Sequence, residues 1–302
     1  MKTVFISIIF WCIFLLPAAA QEQRSFLNSI STPADSLFSH PQYSPAPVNY
    51  TRLTLVSTAY IGTLTTIHIY EANAWWKNFR KPFHFKEDLQ YGQNVDKLGH
   101  VWSGNILASL LTGSLEWSHL PHEHALYYGA AAGSLFQLFV EFEDGYSQWG
   151  FDRVDAAADI LGGFYPVLQY HFPTLQNFEI SASYYPRKLD KPGGIPGQKH
   201  IIVDDYEGQT FWLSMKNKLL PDAVQKVVPS FINLAVGYSV RGTENLTNQQ
   251  PVLLFGLKYD MEEIIPQSTL TGRTFGKWLN FFRLPAPAIQ IMPGVVWYGL
   301  YF

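Results

Sequence analysis

The hydrophobic residues follow two different patterns, one in each half of the chain. The first half holds four apolar segments, each long enough for a helix, at residues 55–76, 98–117, 124–142 and 154–172. Pro121 and Asp152 stand where the third and fourth helices would start. Each segment is near or below the roughly 20 apolar residues of a membrane span and is interrupted by polar residues. The pattern therefore predicts a bundle of about four helices.

After Pro173 the pattern changes to alternation between apolar and polar positions, which is typical of strands. Strands are predicted at residues 178–185, 210–215, 231–238, 252–259 and 288–291. The aromatic carboxy terminus, residues 295–302, is similar to the closing strand of bacterial outer-membrane proteins. The chain is thus predicted to have an α+β fold, in which a β-rich, membrane-facing unit follows the helical bundle.

The first residues have the features of an export signal. Lys2 supplies the positive end, residues 4–16 form an apolar core, and residues 17–20 offer a cleavage site of small residues. The stretch that follows is rich in Ser, Pro and Gln and lacks sustained periodicity. The predicted organisation is a signal peptide at 1–20, an extended arm at 21–50, a helical bundle at 51–173 and a β-rich region at 174–302.

The predicted signal peptide, together with the interrupted helices and the β-rich region, predicts that the protein is located in the outer membrane or periplasm of a Gram-negative bacterium. The only cysteine, Cys12, lies inside the apolar core of the leader, preceded by Phe10 and Trp11 where a lipid-attachment site has small residues. We therefore expect a cleaved protein without a lipid anchor. A mature chain without cysteine has no disulfide, no thiolate metal site and no thiol nucleophile.

Composition narrows the list of partners. With 47% hydrophobic residues the chain can form a sizeable core, and its formal net charge of −3 offers no broad basic surface. Nucleic acid is therefore excluded as an expected partner. A membrane lipid or another envelope protein is the partner that an exported chain of this composition predicts.

Acidic residues are concentrated on the predicted second and fourth helices. Asp96 and His100 are about one turn apart, as are Asp155 and Asp159, with Asp152 one turn earlier. Like charges at this spacing destabilise a helix, so a compensating partner is expected. The candidates for this compensating partner are Lys97, Arg153, His100 and a bound cation.

The third predicted helix ends with two further acids, Glu141 and Asp144. If the helix ends meet in the bundle, these carboxyl groups join a single polar network. Its candidate members are Asp96, Lys97, His100, Glu141, Asp144, Asp152, Arg153, Asp155 and Asp159. Oxygen-rich ligands with one imidazole suit Mg²⁺, Ca²⁺ or Mn²⁺, and the candidate ligands are His100, Glu141, Asp155 and Asp159. Helix packing through ion pairs, helix capping by Asp96 or Asp152, and acid–base chemistry are the alternatives.

Three segments of these helices carry a resemblance to a known family. They are DKLGH at 96–100, EFEDG at 141–145 and GFDRVD at 150–155. With them the chain resembles an uncharacterised bacterial family of predicted periplasmic lipoproteins (domain of unknown function 2279), in particular its long Bacteroidetes-type members. The helical core also looks like that of VanZ-like membrane proteins. The resemblance implies a role in the cell envelope and implies no reaction, and the missing lipid-attachment motif departs from the family's description.

Two functional hypotheses follow, and the sequence leaves open whether the protein is an enzyme. The first is a non-enzymatic envelope protein whose buried acids and histidine hold the bundle together or bind a divalent cation. The second is a membrane-associated enzyme that acts on lipid or peptidoglycan precursors through His100 and the carboxylates. An enzyme needs these groups to converge on an accessible cleft, whereas full burial with every carboxylate paired favours the first hypothesis.

Overall fold

The structure is a computed structural model that describes residues 46–73, 76–77, 80–192, 200–243, 247–266, 268 and 270–302. The predicted signal peptide and most of the predicted arm lie outside the described residues. Within them the predicted α+β fold is confirmed, with a helical N-terminal part and an antiparallel sheet towards the C terminus.

Four long helices precede the sheet. They are α1 (Tyr50–Asn73), α2 (Val95–Trp117), α3 (His122–Asp144) and α4 (Arg153–His171). The hydrophobic pattern located each of them within a few residues. The largest difference is at α1, which begins five residues before the predicted segment. Among the described residues, no helix has both the length and the hydropathy that crossing a bilayer requires.

Small residues allow α2, α3 and α4 to approach each other closely. A Cβ atom added at Gly162 of α4 would overlap the carbonyl of Val101 on α2. One added at Gly133 of α3 would lie 2.8 Å from the backbone nitrogen of Ala108 on α2. These contacts are too short for any side chain, so the glycines are required for the close packing of these helices. The close approach brings the polar residues of α2 and α4 within hydrogen-bonding distance.

The sheet consists of six antiparallel strands in the order of the chain. The strands are β1 (Phe178–Tyr184), β2 (Gln209–Met215), β3 (Ile232–Arg241), β4 (Gln250–Tyr259), β5 (Ala286–Met292) and β6 (Val296–Tyr301). Three short helices lie in the connections, α5 (Asp222–Gln225), α6 (Met261–Ile264) and α7 (Leu270–Leu279). Each predicted strand is present, and the carboxy-terminal segment forms β6.

Helix α2 contacts the sheet as well as α3 and α4. Its first residue, Val95, is fully buried and packs with Phe211 of β2 and Val240 of β3. Farther along α2, the indole nitrogen of Trp102 donates to the carbonyl of Phe281 at 2.8 Å. These contacts hold α2 between α4 and the sheet, and they fix the direction in which the first turn of α2 points.

Candidate functional site

Lys97 lies in the first turn of α2, and its ammonium group is surrounded by carboxylates. Its Nζ donates to Asp88 Oδ1 at 2.9 Å and to Asp96 Oδ2 at 3.1 Å. The same atom donates to Asp152 Oδ2 and to Asp155 Oδ1, both at 3.1 Å. One positive charge therefore faces four carboxyl groups, which leaves the cluster with excess acid.

Asp152 is the N-cap of α4, as the sequence predicts. Its Oδ1 accepts a hydrogen bond from Val154 N at 2.7 Å, and its Oδ2 accepts one from Asp88 N at 3.1 Å. Burial alone would raise the pKa of Asp152, but these N–H groups and Lys97 hold it below its ordinary value. The cap fixes where α4 begins and therefore which face of α4 carries Asp155.

His100 lies one turn after Lys97 and faces α4. Its Nδ1 is 2.7 Å from Asp159 Oδ1, and its Nε2 is 3.9 Å from Asp155 Oδ1. Burial opposes protonation of His100, but the hydrogen bond with Asp159 and the nearby carboxylates raise its pKa to about 9. Asp159 is fully buried, and its second oxygen, Oδ2, has no hydrogen-bond partner among the described residues. Asp159 therefore orients the ring so that Nε2 is on the side of Asp155.

Glu141, near the end of α3, brings a third helix to the same place. The side chain is buried, and its Oε1 accepts a hydrogen bond from the backbone N–H of Asp152. Burial raises the pKa of Glu141 to about 8 and the pKa of Asp155 to about 7. One ligand atom each from His100, Glu141 and Asp155 lies within 4.8 Å of the other two. These three side chains are therefore close enough to share a single metal ion.

A second group of acids adjoins the first. Asp144 Oδ1 accepts a hydrogen bond from the indole nitrogen of Trp76 at 2.6 Å, and burial raises the pKa of Asp144 to about 6. Glu71 of α1 is 6% exposed, and its Oε2 has no hydrogen-bond partner in the part of the chain that the structure describes. Burial, together with the charges of Asp144 and Glu143, raises the pKa of Glu71 to about 8. Acid is thus in excess here too.

The structure places the other predicted residues as follows. Asp96 does not cap α2, because Asn94 holds the cap position and the carboxylate of Asp96 contacts Lys97 instead. Arg153 does not join the network, because its side chain is 67% exposed and pairs with Glu87. Asp159 stands behind His100 and is not among the three donors that could share an ion.

Three side chains at this site were not predicted. Asp88 binds Lys97 from the segment before α2, Glu71 comes from α1, and Tyr206 comes from the connection between β1 and β2. Burial and the charge of Asp96 raise the pKa of Tyr206 well above its ordinary value. For Asp88 and Glu71, the sequence feature that could have indicated a place in the site is an acidic residue next to an apolar segment. Tyr206 had none, because its approach depends on how the sheet packs against α2.

Comparison with known proteins found one family that is similar to the part of the chain that carries this site. The model of a family described as predicted periplasmic lipoprotein (DUF2279) matches residues 84–171. Residues 84–171 are therefore similar to that family. They include α2, α3 and α4, and with them every member of the proposed ion site. The match supports a location in the cell envelope. No curated protein and no solved structure matches the chain significantly.

Proposed function

We propose that this envelope protein binds one divalent cation in its helical core, with His100, Glu141 and Asp155 as ligands. The observation that carries the proposal is the convergence of these three donors from three different helices within 4.8 Å of one another. Two carboxylates and one imidazole suit Mn²⁺, and Mg²⁺ or Ca²⁺ with added water ligands. A site of this composition disfavours metals that prefer thiolates.

The position of Asp159 supports a metal site rather than a simple ion pair. A histidine that binds a metal through one ring nitrogen usually donates its other N–H to a carboxylate, which fixes the ring and its tautomer. Asp159 Oδ1 lies 2.7 Å from Nδ1 of His100, and Nε2 is left to face Asp155. The His100 side chain is 26% exposed, so solvent and ions can reach this side of the site.

The charge of the cluster supports the same function. Buried carboxylates need a cation, a donor or a proton, and Lys97 supplies only one positive charge to its four neighbours. Within the described part of the chain, Asp96 Oδ1 and Asp159 Oδ2 are both buried without a hydrogen-bond partner. A divalent cation at His100 would displace the proton that the raised pKa of His100 favours and would add one net positive charge. Because its ligands come from α2, α3 and α4, it would also stabilise the packing of these helices.

Isothermal calorimetry on the purified mature protein tests the proposal. We expect heat of binding with Mn²⁺, and with Mg²⁺ or Ca²⁺, together with a rise in the melting temperature. Glu141→Gln removes one ligand and should abolish both signals. Glu143→Gln is the matched control, because Glu143 lies on the same helix but contacts His68 of α1 instead of the three donors.

A further variant separates a metal site from a structural network. Asp159→Asn should weaken the affinity by about 10–100-fold without abolishing it, because Asp159 orients His100 and does not bind the ion itself. Absence of heat and of a thermal shift with Mn²⁺, Mg²⁺, Ca²⁺ and Zn²⁺ would show that the network only packs the helices. Equal binding by wild type and Glu141→Gln would place the ion elsewhere.

A further inference from the structure

The outer face of the sheet exposes apolar side chains, which a sheet in water normally covers. Directly paired residues lie on the same face. One row of such pairs crosses all six strands on the outer face, at Ile180, Leu213, Val236, Phe255, Ile289 and Trp297. We call this set the apolar row. It contains no polar side chain apart from the indole nitrogen of Trp297.

The apolar row is exposed. Leu213 is 51% exposed, Val236 41%, Phe255 47% and Trp297 79%. Helix α2 packs on the outer face at Phe211 and Val240, which contact Val95. The apolar row crosses β2 at Leu213, two residues along the strand from Phe211.

The opposite face of the sheet is buried and mixed in polarity. Trp212, Val252 and Leu254 form part of an apolar cluster there, beside the fully buried polar residues Ser239 and Lys258. Ser239 Oγ donates to the carbonyl of Gln209 at 2.6 Å, and Lys258 Nζ donates to a Glu179 oxygen at 2.6 Å. An antiparallel sheet in water covers its apolar face and exposes a polar one. Here the face that carries the apolar row exposes apolar side chains instead.

The two edge strands of the sheet each have a backbone group with a partner outside the sheet. At β1, the N–H of Ala182 donates to the carbonyl of Phe281 at 3.0 Å, and the carbonyl of Ala182 accepts from Arg283 N at 2.8 Å. At β6, the carbonyl of Tyr301 accepts from Arg283 Nη1 at 2.8 Å. Backbone groups need such partners in hydrocarbon, where no water replaces them.

We propose that the outer face of the sheet, defined by the apolar row, contacts the hydrocarbon of a lipid bilayer. Six strands at about 4.8 Å spacing carry the row across about 24 Å. Protein interfaces of that size combine apolar contacts with a polar rim and hydrogen bonds, whereas acyl chains require an apolar surface alone. The surface matches acyl chains along its whole width, and the exposed Trp297 suits the boundary between hydrocarbon and water. This proposal does not depend on the ion site.

Spin labelling tests the proposal directly. In a chain with Cys12→Ser, a single cysteine is introduced at Val236→Cys or Phe255→Cys on the apolar row, or at Glu123→Cys as an exposed control on α3. Each variant carries a nitroxide and is reconstituted in vesicles of phosphatidylethanolamine and phosphatidylglycerol. We expect the labels at 236 and 255 to be more accessible to oxygen than to a water-soluble nickel chelate, and the label at 123 to show the reverse. Greater access of the nickel chelate at 236 and 255 would overturn the proposal.

A charge substitution gives an independent readout. Val236→Asp should lower recovery in vesicle flotation about tenfold, because an acid is placed against hydrocarbon. Val227→Asp is the matched control, since Val227 is 82% exposed and lies outside the strands. Circular dichroism checks that both variants fold. Flotation of Val236→Asp at the wild-type level would overturn the proposal, and so would a lipid-free dimer in which labels at 236 and 255 are shielded from both quenchers.

Discussion

Both halves of the molecule bury charged side chains, but the groups around the buried cations differ, because carbonyls surround Arg283 in the sheet and carboxylates surround Lys97 in the helical core. Arg283 donates to the carbonyls of Leu257, Tyr301 and Ala286, and its guanidinium lies 3.9 Å from the ring centroid of Trp212. In the helical core, four carboxylates share the single ammonium of Lys97.

The difference separates buried charges that only stabilise the fold from buried charges that can also bind a ligand. A cation satisfied by carbonyls leaves nothing for a ligand to add, so the role of Arg283 is structural. Excess buried acid must retain protons or bind a cation, which makes the helical core a place where a ligand can change the free energy of folding.

Removal of the shared ammonium should have the largest effect. Lys97→Met leaves four carboxylates without their cation, and we expect the free energy of unfolding to fall by about 3–5 kcal/mol. Chemical denaturation measures this loss, and millimolar Mg²⁺ or Mn²⁺ should recover part of it. Lys86→Met is the control, because Lys86 is exposed and contacts only a backbone carbonyl at 3.3 Å.

The same substitution in the sheet sharpens the contrast. After Lys258→Met, Glu179 still has one cationic partner, because Lys216 Nζ lies 3.2 Å from its other carboxylate oxygen. The loss should therefore be smaller, about 1–3 kcal/mol. A loss in Lys258→Met as large as that in Lys97→Met, or no response of Lys97→Met to Mg²⁺, would contradict the contrast.

The sequence predicted the elements better than the contacts between them. Helical periodicity located α2, α3 and α4, and the spacing of Asp152, Asp155 and Asp159 placed them on one face of α4. Arg153 was wrongly included, because the next position on a helix points about 100° away from the capping residue. Asp88, Glu71 and Tyr206 reach the site from segments far apart in the chain, and no local pattern encodes such contacts.

Close helix packing is the next feature to test, because the ion site needs α2 and α4 in contact. Gly162→Ala places a methyl group against the carbonyl of Val101, and we expect a loss of about 1–3 kcal/mol and weaker cation binding. Gly113→Ala on α2 is the matched control, because nothing lies within 4 Å of its added Cβ. It should stabilise the protein by about 0.5–1 kcal/mol through helix propensity. Equal effects of the two substitutions in thermal unfolding would refute this role of Gly162.

Glu71 provides a pH test of excess acid in the helical core. Its pKa rises from 4.5 in the unfolded chain to about 8 in the fold, so its contribution to stability is fully present below pH 4.5 and is lost as the pH rises to 8. Glu71→Gln should therefore stabilise the protein at pH 8, by on the order of 1–3 kcal/mol, and have little effect at pH 4. Unfolding curves at both pH values measure this, with the exposed Glu123→Gln as control. A gain that does not depend on pH would contradict the shifted pKa of Glu71.

The most direct test of the central claim is electron–nuclear double resonance on the Mn²⁺-loaded protein. Coordination by His100 predicts a nitrogen hyperfine coupling to Mn²⁺ in the wild type and its loss in His100→Gln, while Glu143→Gln keeps it. A spectrum of fully hydrated Mn²⁺, or a nitrogen coupling that persists in His100→Gln, would contradict the assignment of the helical core as the cation site.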